Sequence, residues 1–155
     1  MKKIENKNFI VKKSLIPNAG LGLFTKRKFK KGESLGKYDG ELLTEEECDR
    51  RYSEQDHVLD LSNAKRNLFP KVYLYPPKKM LLRYINHAPV SIDGKKIRGK
   101  KSYNVDFNEI DEYPYVEIIA IKDIEVGDEI YLTYGAYFTK QYVSGNEKAK
   151  KFYVG

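Results

Sequence analysis

The sequence predicts a mainly β domain of several short strands, on three observations. Short runs of Val, Ile, Leu, Phe and Tyr recur along the chain, and Gly or Pro turns punctuate them. One run, Val116 to Ile121, is rich in β-branched residues and is the best candidate for a central strand. A helix start is convincing at one place only, the capping box Thr44-Glu45-Glu46-Glu47, which opens a short helix to about Tyr52.

Taken in order, Phe9-Ile10-Val11 reads as the first strand. Pro17 to Phe24 reads as a loop whose Gly20 and Gly22 let the backbone approach a neighbour closely. A tight turn is the plainer reading of a lone Gly-x-Gly. Neither a third spaced glycine nor a Gly-Lys-Ser/Thr follows, so this is no nucleotide loop. Lys31-Gly32-Glu33 turns into a strand from Ser34 to Tyr38, which ends at Tyr38-Asp39-Gly40. Val58 to Leu61 and Val72 to Tyr75 are further strands, the second stopped by Pro76-Pro77. A basic loop with Gly94 and Gly99 leads to Tyr103-Asn104-Val105-Asp106-Phe107. Beyond Val116 to Ile121, the turn Gly127-Asp128 feeds a strand from Glu129 to Tyr134, and the tail is aromatic and then basic.

At 155 residues and 18.1 kDa the chain is long enough for one domain with its own core. A hydrophobic share of 41% argues against wholesale disorder. Thirteen Tyr and no Trp favour a Tyr-lined cavity or channel, since Tyr packs and also presents a hydroxyl. The single cysteine, Cys48, excludes an intramolecular disulfide and a zinc site built on several Cys, and no metal is expected. The basic start, Met1 to Lys7, has no apolar segment behind it, and no run reaches transmembrane length. An intracellular, soluble protein away from membranes is therefore expected, as a monomer or homodimer. The net charge of +7 fits a nucleic-acid neighbour held through phosphates. Basic residues crowd the first 31 positions and the loop Lys95, Lys96, Arg98, Lys100, Lys101, while Glu41, Glu45, Glu46, Glu47 and Asp49 form an acidic cluster. A solvated face is the plainer reading of each patch.

The stretch around which the chain organises itself is Arg83-Tyr84-Ile85-Asn86-His87-Ala88. An apolar approach through Met80, Leu81 and Leu82 ends in two adjacent polar side chains, and Pro89 blocks a helix beyond them. A buried Asn or His left without partners costs roughly 1–3 kcal/mol. Read alone, this is a satisfied structural pair at the end of a short helix. An internal echo adds weight. Phe24-x-x-Arg27-x-Phe29-x-x-Gly32-Glu33-x-Leu35 returns as Ile119-x-x-Lys122-x-Ile124-x-x-Gly127-Asp128-x-Ile130, each copy leading to a Tyr, Tyr38 or Tyr134. Matching units would place two phenols at equivalent strand ends, unless the similarity is one of turn chemistry alone.

Four pieces stand in fixed order: Gly20-Leu21-Gly22, Tyr38-Asp39-Gly40, Arg83-Tyr84-Ile85-Asn86-His87, and Gly127-Asp128-Glu129-Ile130-Tyr131-Leu132-Thr133-Tyr134-Gly135. The ordered set resembles a SET domain, the protein-lysine methyltransferase family, over residues 8–138, with 139–155 as a short C-terminal tail. The resemblance implies a β-clip-like fold of several small sheets, with a threaded C-terminal pseudoknot and few short helices. It also implies S-adenosylmethionine as methyl donor. Carried over by position, Gly20, Leu21 and Gly22 shape the loop against the donor's methionine part. Asn86 and His87, with Arg83 before them, lie where the family holds the donor's amino-acid end and adenine. Tyr134 matches the catalytic tyrosine beside the transferred methyl, and Tyr38 the second active-site phenol. Asn104 follows the spacing of an asparagine that supports the knot.

Departures from the family matter too. An aromatic often stands two residues before the catalytic tyrosine, where this chain has Leu132; with Tyr103 it is expected to line the lysine channel. The Cys-rich zinc segment of many members cannot be built here, so Tyr137, Phe138 or Tyr142 would cover the cofactor. Ala88 stands where Ser usually follows Asn-His. The resemblance implies a lysine-bearing protein substrate such as a histone, and a nuclear or chromatin-associated setting if the host has a nucleus. The alternative is a catalytically silent SET-like module that binds peptide or nucleic acid. The intact set Tyr38, Asn86, His87 and Tyr134 counts against silence. A plain DNA-binding domain lacks any recognition motif.

Overall fold

In the computed structural model the described residues are 3–38, 41–44, 46–47, 50, 59–60, 72–75, 80–109, 116–133, 139–140 and 143–155. Their strands are β1 (Ile4–Glu5), β2 (Phe9–Lys13), β3 (Leu21–Thr25), β4 (Ser34–Tyr38), β5 (Glu41–Thr44), β6 (Leu59–Asp60), β7 (Val72–Tyr75), β8 (Asn86–His87), β9 (Ser91–Ile92), β10 (Lys95–Lys96), β11 (Val105–Glu109), β12 (Val116–Ala120) and β13 (Tyr131–Leu132). They form small sheets in the orders β1-β2-β3, β11-β12-β4, β5-β7-β6, β9-β10 and β8-β13. The mainly β expectation holds, and Val116–Ala120 is the central strand of its sheet, antiparallel to both neighbours. The capping box also forms: Thr44 Oγ1 accepts from the Glu47 amide at 3.2 Å, and Glu47 Oε1 accepts from the Thr44 amide at 3.3 Å.

The internal echo is a structural duplication whose halves pair with each other. Phe29 and Ile124, equivalent in the two copies, exchange backbone hydrogen bonds of 3.0 and 2.8 Å. The Gly32 amide donates to the Ala120 carbonyl at 2.7 Å, and its counterpart Gly127 donates to Thr25 at 2.9 Å. Both turn glycines have positive φ, 92° and 91°, which a side chain would strain. Thr25 in turn donates to the Asp128 carbonyl, and Ala120 to that of Glu33, at 3.0 and 2.9 Å. This local two-fold arrangement sets the second copy against the first and brings Glu129 to Phe24 in an antiparallel bridge.

Three readings are corrected. The loop from Pro17 ends at Gly20 (φ 74°), and Leu21–Thr25 is a strand paired along its length with β2. Gly22 signals close approach within a sheet, not a bend. Among the described residues, the strand expected from Glu129 to Tyr134 is regular at Tyr131–Leu132, where it runs parallel to Asn86–His87, and Tyr134 lies outside them. A helix also spans Glu147–Val154: the Asn146 side chain accepts from the Ala149 amide at 3.1 Å, and Gly155 (φ 74°) closes its end.

Two apolar clusters result. One joins Leu23, Phe29, Leu35, Tyr38, Leu82, Ile85, Ile118 and Leu132, among others, at the meeting of the first two sheets. The other gathers Ile16, Ala88, Ile92, Ile97, Tyr131, Val143, Ala149 and Tyr153. The C-terminal helix is thus packed onto the domain through its buried i, i+4 pair Ala149 and Tyr153. Tyr131 and Leu132, adjacent on one short strand, face opposite clusters, as the pleat requires.

Candidate active site

Leu81–Tyr84 forms a single 3₁₀ turn, after which Ile85 is extended (φ −67°, ψ 121°) and delivers Asn86 and His87 into β8. The parallel register Tyr131↔Asn86 and Leu132↔His87 lays the central motif against the chain's last motif. Asn86 Nδ2 then donates to the Leu21 carbonyl at 2.9 Å, so Gly20, Leu21, Gly22 and Asn86 are brought together. Asn86 is half-buried, and its Oδ1 has no protein partner among the described residues. That free acceptor beside exposed backbone suits the ammonium of an amino-acid group.

Behind this junction stands Glu129, which the sequence reading did not single out. It is 2% exposed and accepts four hydrogen bonds. Ser14 Oγ (2.7 Å) and Asn86 Nδ2 (3.3 Å) donate to Oε2; the Leu15 amide (2.9 Å) and Tyr131 hydroxyl (2.8 Å) donate to Oε1. Burial and the Glu129 charge raise the Tyr131 phenol well above its ordinary pKa, which keeps it a donor. A Cβ at Gly22 would run into Glu129 Oε2 and lie 3.1 Å from Asn86 Nδ2. The absent side chain at position 22 is what lets the carboxylate reach Asn86. A signal was present: a lone acid between a Gly-Asp turn and the apolar Ile130-Tyr131-Leu132.

His87 points the other way. Its ring is buried, Nε2 lies 2.8 Å from Thr139 Oγ1, and its carbonyl accepts from the Tyr153 hydroxyl at 2.6 Å. Burial pushes its pKa down to about 4, so the imidazole is neutral at neutral pH. Asn104, also buried, accepts from the Tyr131 amide at 2.8 Å through Oδ1 and donates through Nδ2 to the Glu129 carbonyl at 3.0 Å. It pins the segment that carries Glu129.

Arg83 is buried in the 3₁₀ turn, 5.9 Å from the Tyr84 ring. Tyr38 and Leu132 share the first apolar cluster. Tyr103 packs against the second. Tyr134, Tyr137, Phe138 and Tyr142 lie outside the described residues.

The family model of the SET domain matches residues 20–135, from the first glycine of the Leu21 loop to the residue after Tyr134. The chain belongs to the SET-domain family. This SET domain is 32% identical over 152 residues to the histone-lysine N-methyltransferase EZH2 of Chaetomium thermophilum, covering 92% of this chain and 9% of that protein. It is 33% identical over 127 residues to a variant-silencing SET domain-containing protein of Plasmodium falciparum, covering 77% of this chain and 4% of the other. Among solved structures, it matches a chain of the C. thermophilum polycomb repressive complex 2 with TM-score 0.61 and 26% identity, over 84% of this chain and 16% of that one. A humanized mutant of the complex bound to the inhibitor GSK126 matches with TM-score 0.62 and 26% identity, over 84% and 15%. The SET domain therefore spans a small fraction of the relatives it matches. No helix among the described residues is long and apolar enough to cross a membrane.

Proposed function

We propose that this SET domain is an S-adenosylmethionine-dependent protein-lysine N-methyltransferase acting on a histone or another lysine-rich tail, at chromatin if the host has a nucleus. The observation that carries the reading is the junction of Asn86 with Leu21 and Glu129, a polar cluster built by residues from three distant stretches. The donor set fits an amino-acid group: Asn86 Oδ1 would accept from an ammonium, and the backbone of Gly20 to Gly22 would lie along the methionine part. S-Adenosylmethionine, when bound, supplies an electrophilic methyl on a sulfonium.

The chain's own residues then have two tasks, alignment and desolvation. In-line displacement depends on alignment of amine and methyl. Tyr134 would direct the methyl through a weak C–H hydrogen bond to its hydroxyl, with Tyr38 as the second phenol of the site. The lysine amine must be neutral. A lysine of pKa about 10.4 lies about 3.4 units above pH 7, a cost of roughly 4–5 kcal/mol. An apolar wall that includes Leu132 lowers that pKa by desolvation, and a neighbouring sulfonium adds like-charge repulsion. No general base is invoked, and His87 is not placed to be one: its ring is buried and bonded to Thr139.

The test is mass spectrometry of a histone mixture incubated with the protein and S-adenosylmethionine, beside calorimetry of cofactor binding. Methyl transfer by the wild type is expected. Asn86→Ala should remain folded and lose cofactor affinity, whereas Tyr134→Phe should bind cofactor and lose at least tenfold in turnover, a barrier increase of about 1.4 kcal/mol. Cofactor binding without transfer to any protein or peptide would instead establish the silent module.

A further inference from the structure

The basic loop and the basic tail, separate in sequence, are joined in the fold. Lys150 Nζ reaches Asp93 Oδ2 at 3.0 Å, at the tip of the β9–β10 hairpin. Lys101 Nζ donates to the Phe152 carbonyl at 2.6 Å and lies over the Phe152 ring, 4.6 Å from its centre. Beneath them Ile92 and Ile97 share a buried cluster with Ala149 and Tyr153. The hairpin, the turn after it and the C-terminal helix are thus one rigid unit, with Lys101 and Lys150 as its internal fasteners.

That unit leaves its other cations outside. Lys95, Lys96, Arg98, Lys148 and Lys151 are exposed, and none has an ion-pair partner among the described residues. Two nearby acids are already matched, Asp93 by Lys150 and Asp128 by Lys100 at 2.6 Å. Glu147, exposed on the same helix, opposes them in part. Five such charges, on the hairpin, the turn after it and the helix packed against them, repel one another and a lysine-rich tail alike.

We propose that this face, Lys95, Lys96, Arg98, Lys148 and Lys151, binds the phosphate backbone of duplex DNA. The side chains are mostly lysines, point charges without the fork that reads a single carboxylate bidentately, and they suit a repeating array of phosphates. Single-stranded nucleic acid requires open aromatic platforms for stacking. Among the described residues, the aromatics packed against this unit's core, Tyr103 and Phe152, are half-buried, Phe152 beneath Lys101. A membrane surface requires large apolar groups to insert. The exposed large apolar residues in this part of the described chain, Val90, Val126 and Val154, are single valines. The inference rests on charge and packing and stands independently of the methyltransferase reading.

Fluorescence anisotropy with a labelled 20-base-pair duplex, titrated with the full chain at a series of salt concentrations, tests it. Neutralisation of about five phosphates predicts a slope of log affinity on log salt near −4.5, so affinity should fall several hundred-fold between about 50 and 200 mM salt. Lys95→Glu/Lys96→Glu and Lys148→Glu/Lys151→Glu should each weaken binding at least tenfold, with circular dichroism confirming the fold. Lys148→Gln/Lys151→Gln is the milder variant should charge reversal disturb the helix. The control, Lys3→Glu/Lys7→Glu, makes the same charge change near edge strand β1 and should alter affinity less than threefold. Equal losses in the control and the test variants would overturn the proposal, leaving attraction by net charge. Tighter binding to a single strand of equal length, to polyglutamate or to phosphatidylserine vesicles would overturn it in favour of that partner.

Discussion

Glu129 Oε2 occupies the space that a side chain at Gly22 would need. The glycine lies inside a paired strand without a positive φ, so its value here is absence of volume and not backbone freedom. Through that gap the carboxylate reaches Asn86, and Asn86 reaches Leu21. Three of the four sequence motifs therefore meet at one buried acid, and the consequences can be measured.

Gly22→Ala should displace Glu129 and break its bonds to Ser14 and Asn86. Overpacking of this kind costs about 1–3 kcal/mol. Urea unfolding should show that loss, and calorimetry should show S-adenosylmethionine binding weakened at least tenfold. Wild-type stability together with wild-type affinity would mean that the carboxylate can retreat without consequence.

Glu129→Gln sets an amide NH₂ among four donors, leaving at least one buried donor without an acceptor, at roughly 1–3 kcal/mol. Because Glu129 acts through Asn86, the cofactor KM should rise more than kcat falls. Ser14→Ala removes one donor and should do less of both. A lowered Tm with an unchanged KM in the Gln variant would restrict Glu129 to holding the fold.

The duplication was legible because turn chemistry repeats on a fixed spacing: glycines with φ near 90° at positions 32 and 127 admit few substitutes. The strand Ser34–Tyr38 and the central strand Val116–Ala120 were legible from local pattern, since their apolar positions face one sheet side or both. What escaped notice depends on tertiary contact. Glu129 reads locally as a turn-adjacent surface acid; only the pairing of the two copies turns it inward. Leu21–Thr25 was obscured by Gly22, whose meaning lies in a residue far along the chain. The helix Glu147–Val154 did carry signals, Asn146 before it and Gly155 after it, but its lysines read as a charged tail. Its apolar positions are few, and Ala149 with Tyr153 becomes a buried stripe only against Ile92 and Ile97.

Stability should depend on pH through His87. In the unfolded chain its imidazole titrates near 6.5, whereas burial holds it at about 4 in the folded protein. Between those values the unfolded state binds more protons, so acid favours unfolding. The stability tied to the neutral ring is complete above about pH 6.5 and is lost as the pH falls towards 4, roughly 3 kcal/mol in all. Other groups titrate in the same range, so the comparison is with His87→Gln, which can still bond Thr139. Its Tm should fall less steeply than that of the wild type between pH 7 and 4.5. Parallel Tm profiles would assign the acid sensitivity elsewhere.

The number of methyl groups added should be set at Leu132. The side chain is buried with Tyr38, Leu82 and Ile85, on the opposite side of its strand from Tyr131. An aromatic at position 132, common in the family, would fill volume that leucine leaves open. Leucine is smaller than tyrosine and holds no water by hydrogen bonding, so in the proposed site the space beside the ε-nitrogen would be larger and drier. After the first transfer the amine must rotate its new methyl into that space before the lone pair can face the donor again. Products beyond monomethyl-lysine should follow, and Leu132→Tyr should shift the distribution towards fewer methyls. Mass spectrometry on a peptide substrate run to completion reads both results. A wild-type reaction that stops at monomethyl-lysine would show that another group closes this space.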